Sequence, residues 1–264
     1  MASKILILGS TGFVGGFLTN QLSKEFKVYS PIRHDLNLLD FDLVKTYLSK
    51  NYFDVIINCA GDTNSNTDVF DPKVLNTNVG IFTNFYLLRS YYGKFINFGS
   101  GAEFDRSKDI NSTEEDLFRS FPLDHYGLSK NITAKIIRDL KDFYHLRLFG
   151  VFGPSEPDTR LPKRLLANSQ LSLEDRLFDY FFIEDVLPVV KYCIYQDSVY
   201  KDINLVYQEK IKLSEFVNRF CLTHKLTPNI DIKNNGLSYI GSSNKLSSLN
   251  LKLLGLEKGI EKYK

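Results

Sequence analysis

Apolar residues along this chain fall in short unbroken runs, and the runs are separated by stretches with helical spacing. "KILIL" (4–8) is one such run and stops at Gly9. Phe13, Val14, Phe17, Leu18 and Leu22 then recur at the three- and four-residue intervals of one helix face. The alternation continues with a strand at "FKVYS" (26–30), a helix at "FDLVKTYLSKN" (41–51) and a strand at "DVIINCAG" (54–61). A long helix over about 72–92, a strand at "KFINFGS" (94–100), a helix carrying "YGLSK" (126–130) and a strand at "YHLRLFG" (144–150) complete it. Strands that are apolar throughout belong to a parallel sheet covered on both faces. Right-handed crossovers turn this order into an α/β fold, a doubly wound parallel sheet of the Rossmann type.

Beyond residue 150 the rhythm loosens. "GPSEPDTRLPKRLL" reads as a Pro-interrupted loop leading into a short basic helix. "DYFFIEDV" reads as a buried strand entering a helix, and "LSEFVNRFCLTHKL" (213–226) as an amphipathic helix. The tail from 236 to 264 alternates turns and short helices.

Composition narrows the partners. The chain has 264 residues, 43% hydrophobic, which is ample for a large core. A net charge of +2 provides no strong field for nucleic acid or an anionic membrane. Cys59, Cys193 and Cys221 are far apart and form no metal spacing with the four histidines, so they are expected to be free thiols in a reducing compartment, with no metal site. No apolar run approaches the roughly 18 residues needed to span a bilayer, and no charged-then-apolar leader opens the chain. A soluble cytoplasmic protein is expected.

The first candidate site is "GSTGFVG" (9–15), with glycines at 9, 12 and 15 between a strand and a helix. Such a loop turns tightly, approaches a pyrophosphate with its backbone and offers it a helix N-terminus. Residues 1–150 are therefore expected to form a dinucleotide-binding domain. Residues 151–264 are expected to be mainly a substrate-binding lobe, with about 175–205 returning to the first domain. No carboxylate ends the second strand, where one would hold the ribose hydroxyl of NAD. Ser30 stands there and Arg33 follows, which favours the 2′-phosphate of NADP over NAD.

The second candidate is the pair Tyr126 and Lys130, one helical turn apart on one face. Beside Ser100 at the end of "KFINFGS", these residues resemble the triad of the extended short-chain dehydrogenases/reductases. These form the NAD(P)-dependent epimerase/dehydratase group that acts on nucleotide sugars. The resemblance runs through the chain in order. "RHDLNLLD" (33–40) is similar to a segment of GDP-fucose synthases and, more loosely, of dTDP-4-dehydrorhamnose reductases. "VIINCAG", "INFGSGAEF", "HYGLSK", "RLFGVFGP", "DYFFIEDV" and "LLGLEKGIEKY" each resemble a family segment.

The resemblance implies cofactor contacts from Gly9, Thr11, Gly12, Phe13, Val14, Gly15, Arg33, Leu39, Asp40, Asn58, Ala60, Gly61, Tyr126 and Lys130. It implies that Tyr126 is the general acid/base, Lys130 the holder of the nicotinamide ribose, and Ser100 the hydrogen-bond donor to the substrate oxygen. An unperturbed phenol titrates near about 10, and a neighbouring ammonium with a positive nicotinamide would lower that value. Glu103 and the basic Arg160, Lys163 and Arg164 are candidate substrate contacts, although the side chain of Glu103 should point away from the face that carries Ser100. The resemblance further implies a homodimer through the helices around 72–92 and 126–143, with Phe82, Tyr86 and Leu87 as outer positions.

Departures from the family pattern narrow the reaction. Ala102 replaces the Cys of the fucose synthases, and the loop "PSEPDTRLP" has no His. Ser100-Gly101-Ala102 replaces the Thr-Asp-Glu of the 4,6-dehydratases. Gly150 and Phe178 replace an Asn and an Arg that contact substrate in the family. The expected activity is reduction of a 4-keto group on a nucleotide sugar in cell-surface polysaccharide biosynthesis. The alternatives are a 4-epimerase working through a transient ketone and a non-catalytic dinucleotide sensor.

Overall fold

The structure is a computed structural model that describes residues 3–63, 70–167, 170–197, 200–233 and 236–263. The remaining few positions of the expected C-terminal lobe lie outside that description. The first half runs β1 (Lys4–Leu8), α1 (Phe13–Leu22), β2 (Lys27–Tyr29), α2 (Phe41–Lys50), β3 (Phe53–Asn58), α3 (Pro72–Leu87), β4 (Tyr92–Ser100), β5 (Ile110–Ser112), α4 (His125–Ile137) and β6 (Phe143–Leu148). The second half runs β7 (Gly150–Phe152), α5 (Leu161–Leu166), β8 (Leu171–Glu174), β9 (Tyr180–Phe182), α6 (Ile183–Tyr195), β10 (Asp202–Leu205), α7 (Leu213–His224), β11 (Ile230–Lys233), β12 (Tyr239–Gly241), α8 (Asn244–Ser248) and α9 (Gly255–Lys262).

"KILIL" shows why the sheet is buried on both faces. Ile5 and Ile7 enter a core with Leu18, Leu22, Val186 and Val190, on the side of α1 and α6. Leu6 and Leu8 enter a second core with Val44, Leu48, Phe82 and Phe85, on the side of α2 and α3. Successive strand residues point to opposite faces, so an unbroken apolar run serves two helical layers at once. The six strands lie in the order β10-β6-β4-β3-β1-β2, all parallel. The order reverses beside β1, and the crevice at the carboxyl ends of β1 and β3 is where such sheets hold ligands.

Three local outcomes differ from the sequence expectation. The long helix ends at Leu87, because a short turn over Arg89–Tyr91 feeds directly into β4, and the Tyr92 hydroxyl donates to the Phe85 carbonyl at 2.6 Å. Phe82 is not an outer position: it is 1% exposed and packs on Phe95 and Phe143 under the sheet. β3 stops at Asn58, where the side chain turns back to accept the Ala60 N–H at 3.1 Å.

The C-terminal half adds three parallel two-stranded pairs, β7 with β9, β8 with β11 and β5 with β12. The last pair joins residues 110–112 of the first half to residues 239–241, so the C-terminal segment reaches back over the end of β4. Among the described residues, no helix is long and apolar enough to cross a membrane.

Candidate active site

The crevice is made by two loops in contact. Gly9 has φ +76°, and a Cβ there would stand 2.7 Å from the Ala60 nitrogen, so only glycine lets the turns after β1 and β3 meet. α1 starts behind Gly12, and no side chain caps it, which leaves the N–H groups of its first turn facing the crevice. The cleft, of about 460 Å³, is lined by Gly9, Ser10, Thr11 and Gly12 on one side and Ala60 and Gly61 on the other. Arg33, Leu39 and Lys73 also line it. Gly15, Phe13 and Val14 lie behind the lining: a Cβ on Gly15 would meet the Gly9 oxygen at 2.2 Å, and Phe13 and Val14 pack on the core. Asn58 is buried and donates to Asn97 at 2.8 Å, supporting the cleft floor from below. Asp40 is the N-cap of α2, its carboxylate accepting the Leu43 N–H at 2.9 Å, and it is not among the lining residues.

The three candidate residues Ser100, Tyr126 and Lys130 lie on β4 and α4. β4 ends at Ser100, and a tight turn over Gly101–Glu103 follows. Asp124 caps α4 by accepting the Gly127 N–H at 2.7 Å, and Arg106 pairs with the same carboxylate at 2.8 Å. A Cβ at residue 127 would lie 2.4 Å from the Ala102 oxygen, so the first turn of α4 sits directly on the turn after Ser100. The first turn of α4, which carries Tyr126, is thereby set against the turn that follows Ser100. One helical turn further, the Lys130 ammonium donates to the Phe98 carbonyl at 3.2 Å, two residues before Ser100. The same nitrogen is 3.5 Å from where a Cβ on Gly61 would be, which places it at the rim of the cleft.

Two residues around this centre escaped the sequence reading. Asn78 of α3 donates to the Ser129 hydroxyl at 3.0 Å and to the Asp62 carbonyl at 2.9 Å, and accepts the Asp62 N–H at 2.7 Å. It thereby ties the loop after β3 to the residue beside Lys130. Its signal was present in the spacing, because Val74, Asn78 and Phe82 are four apart and share the buried face. Tyr239 is the other: its hydroxyl stands 2.7 Å from where a Cβ on Gly101 would be, next to Ser100 in the chain. No local pattern announces it.

Glu103 is not placed to touch substrate. It is 0% exposed, accepts from the Ser100 N–H at 2.8 Å, and binds Arg147 at 2.6 Å and His145 at 2.8 Å. The tight turn aims it inward rather than along a strand face. Burial would raise its carboxyl, but Arg147, His145 and the hydrogen bonds outweigh burial and hold it at about 2. Arg147, also 0% exposed, continues to Asp202 at 2.9 Å and Asn204 at 2.8 Å. Arg160 precedes α5 and is exposed, as is Arg164, while Lys163 is half-buried. Arg160 and Lys163 act on Glu156, whose buried carboxyl is pushed up by burial to about 7. The structure gives these three cations no hydrogen bond or ion pair with the triad.

Comparison with known proteins places this geometry. The sequence profile of the NAD dependent epimerase/dehydratase family matches residues 5–204. The dTDP-D-glucose 4,6-dehydratase of Dictyostelium discoideum is 24% identical over 233 residues, covering 70% of this chain and 54% of that protein, so the chain spans about half the length of that curated relative. Among solved structures, the dTDP-4-dehydrorhamnose reductase of Bacillus anthracis in complex with NADP superposes with a TM-score of 0.82 at 16% identity, covering 100% of this chain and 98% of that one. The GDP-mannoheptose C4 reductase of Campylobacter jejuni with NADP bound gives 0.84 at 18%, covering 99% and 96%. The GDP-L-fucose synthetase of Naegleria fowleri bound to NADP gives 0.84 at 17%, covering 98% and 91%. At these identities the structural likeness speaks for the fold. The profile match covers most of the chain and includes both the glycine loop and the Ser100–Tyr126–Lys130 centre, and on that ground this chain belongs to the NAD dependent epimerase/dehydratase family.

Proposed function

We propose that the chain reduces the 4-keto group of a nucleotide-activated sugar, with NADPH preferred over NADH. The observation that carries the reading is the position of Lys130, which ties to β4 beside Ser100 and reaches the rim of the glycine-loop cleft at Gly61. The cleft fits a dinucleotide: the uncapped start of α1 and the bare backbone of Gly9–Gly12 suit a pyrophosphate, and Arg33 suits a 2′-phosphate. Lys130 would hold the nicotinamide ribose, and Thr11, Leu39, Ala60 and Gly61 would line the bound cofactor.

Gly9–Gly12 and Lys130 would hold the reduced dinucleotide, whose chemistry would be hydride donation to a keto carbon. Ser100 hydrogen-bonds the keto oxygen and fixes its position as negative charge develops. Tyr126 gives its proton to that oxygen, and the Lys130 ammonium one turn along the helix stabilises the charge left on the ring. Glu103, the carboxylate of the turn after Ser100, is held by Arg147, so eliminating water has no free acid or base there. Arg160, Lys163 and Arg164 stand in the C-terminal half where they would meet the nucleotide diphosphate.

The test mixes the protein with NADPH and a panel of nucleotide 4-keto sugars and follows absorbance at the nicotinamide band. Oxidation of NADPH with one member supports the reading. Interconversion of nucleotide sugars without added cofactor identifies a 4-epimerase instead, and cofactor binding with neither reaction identifies a sensor. The proposal extends to a cytoplasmic enzyme of polysaccharide sugar biosynthesis that pairs through the α3 and α4 face. Leu87 of α3 and Ile136 of α4 are exposed apolar side chains, and light scattering after chromatography reads the mass.

A further inference from the structure

We propose that His145 is a positioning residue for Ser100: Asn97 selects the ring tautomer that carries its proton on Nε2, and that N–H fixes the Glu103 carboxylate which holds the Ser100 main chain. The inference rests on the reductase reading. Asn58, Asn97 and His145 are register partners on β3, β4 and β6, three adjacent strands. All three are buried, where an unpaired polar group is costly. Each is paired. The Asn58 amide nitrogen donates to the Asn97 oxygen at 2.8 Å, the Asn97 nitrogen meets His145 Nδ1 at 3.2 Å, and His145 Nε2 meets the Glu103 carboxylate at 2.8 Å. The row starts at Ala60, in the lining of the cofactor cleft, and ends at Ser100, so it spans the two sides of the site.

The polarity of the row is fixed from one end. A backbone N–H can only donate, and the Ala60 N–H points at the Asn58 side-chain oxygen at 3.1 Å. The Asn58 nitrogen therefore faces Asn97, which must present its oxygen there and its nitrogen to His145. Nδ1 of His145 then accepts, and Nε2 carries the proton. The other end agrees. The Glu103 oxygen that meets Nε2 also accepts the Ser100 N–H at 2.8 Å, and the second oxygen accepts from Arg147 at 2.6 Å. The reverse tautomer would set two N–H groups against each other at Asn97 and two lone pairs against each other at Glu103. Gly99 makes room for the contact, since a Cβ there would overlap both His145 Nε2 and the Glu103 oxygen. Ser100 is thereby held at two points: Glu103 binds its N–H, and its hydroxyl oxygen accepts the Ala102 N–H at 3.2 Å. This reciprocal pair of bonds leaves the serine oxygen little freedom to drift from the place where a keto oxygen must lie.

The experiment replaces His145 by Gln and by Asn. The Gln amide N–H can stand where the Nε2–H stands, and the Asn oxygen where Nδ1 stands, so each variant keeps one link and loses the other. A purely structural histidine would cost both variants one buried hydrogen bond and lower turnover and melting temperature alike. Instead, His145→Asn should lower kcat about tenfold with KM and the NADPH Kd unchanged, and His145→Gln should rescue kcat to within about threefold of wild type. In a Ser100→Ala background His145→Asn should have no further effect, because the histidine acts through the serine. Equal losses in the two variants, no loss in His145→Asn, or a full further loss beside Ser100→Ala overturns the proposal. A second arm does not depend on turnover. Nitrogen NMR of histidine-labelled wild-type protein, with the His145 signals assigned by their absence in His145→Gln, should show Nε2 protonated and Nδ1 bare, with and without NADP. A proton on Nδ1 overturns the proposal. Crystal structures should show Ser100 displaced in His145→Asn and unmoved in His145→Gln, and a serine unmoved in both overturns it as well. If the wild type reduces no 4-keto nucleotide sugar, the functional reading fails, and the NMR and crystal arms still decide what His145 does.

Discussion

Replacing Arg147 by Met removes the cation at the centre of a buried charge network and keeps most of the side-chain volume. The guanidinium holds Glu103 at 2.6 Å and Asp202 at 2.9 Å, and it lies over the Phe104 ring at 5.1 Å. Neither carboxylate can reach water, since Glu103 is 0% and the Asp202 side chain 5% exposed. Breaking a buried pair by deleting one partner costs about 3–5 kcal/mol, because the other charge stays buried and uncompensated. That is a large part of the roughly 5–15 kcal/mol that separates folded from unfolded chains.

The depressed carboxyl of Glu103 implies a magnitude of the same order. Glu103 is held at about 2 in the folded protein against 4.5 unfolded. A depressed carboxylate contributes stability that is present above the unfolded value and is lost as pH falls from 4.5 through about 2, here about 3 kcal/mol. Without Arg147, burial becomes the dominant influence on Glu103 and favours the protonated form. The deficit of the variant should therefore be largest at neutral pH and shrink in mild acid, as Glu103 takes up a proton without penalty. Denaturant unfolding of both proteins near about pH 7.5 and about pH 5 measures this. A loss below about 1 kcal/mol at the higher pH, or a deficit that grows in acid, refutes the reasoning. Glu103→Gln, which keeps the turn and removes only the charge, is the milder companion if Arg147→Met does not fold. Because the Glu103 carboxylate accepts the Ser100 N–H, both variants should also lower kcat.

Three further outcomes follow from the same geometry. Tyr126→Phe should lower turnover by about 10²–10⁴ and leave NADPH binding intact, as read by steady-state kinetics and fluorescence titration; surviving turnover would remove Tyr126 from the mechanism. Arg33→Ala should weaken NADPH about 10–100-fold and NADH little, since a charged hydrogen bond to the 2′-phosphate is lost in one case only, and equal losses in the two titrations would end the phosphate assignment. Glu156→Gln should stabilise the protein by up to about 3 kcal/mol at alkaline pH: burial raises this carboxyl from 4.5 to about 7, so the folded state is favoured below 4.5 and progressively loses that advantage as pH rises through about 7. The melting temperature of Glu156→Gln against wild type should therefore diverge above neutrality and converge in acid.

The parts of this protein that could be read from its sequence are those whose cause is local. The strands of the sheet are visible because burial on both faces removes polar residues from "KILIL" and "VIIN", and the helix carrying Tyr126 and Lys130 is visible because one turn separates them. The glycine loop is legible for the same reason, since its constraint is the approach of the chain to a helix N-terminus a few residues away. What stayed hidden is set by partners distant in sequence. Glu103 looked like a substrate contact because the groups that claim it, His145 and Arg147, arrive on a strand some forty residues later, 42 and 44 positions along the chain. Phe82 looked like an outer residue because helical spacing defines a face without saying which layer covers it. Tyr239 has the weakest local signal and a central position, because its place depends on two separate segments, at 110 and at 177–179, closing on it from either side. Ser100 stands beside these two non-local systems, its N–H held by Glu103 of the Glu103–Arg147 network and the Tyr239 hydroxyl packed close to Gly101, the next residue. The surroundings of a strand-end serine are complete only when both have folded, so a chain whose sheet is evident from its first residues still needs its last third to finish the candidate site.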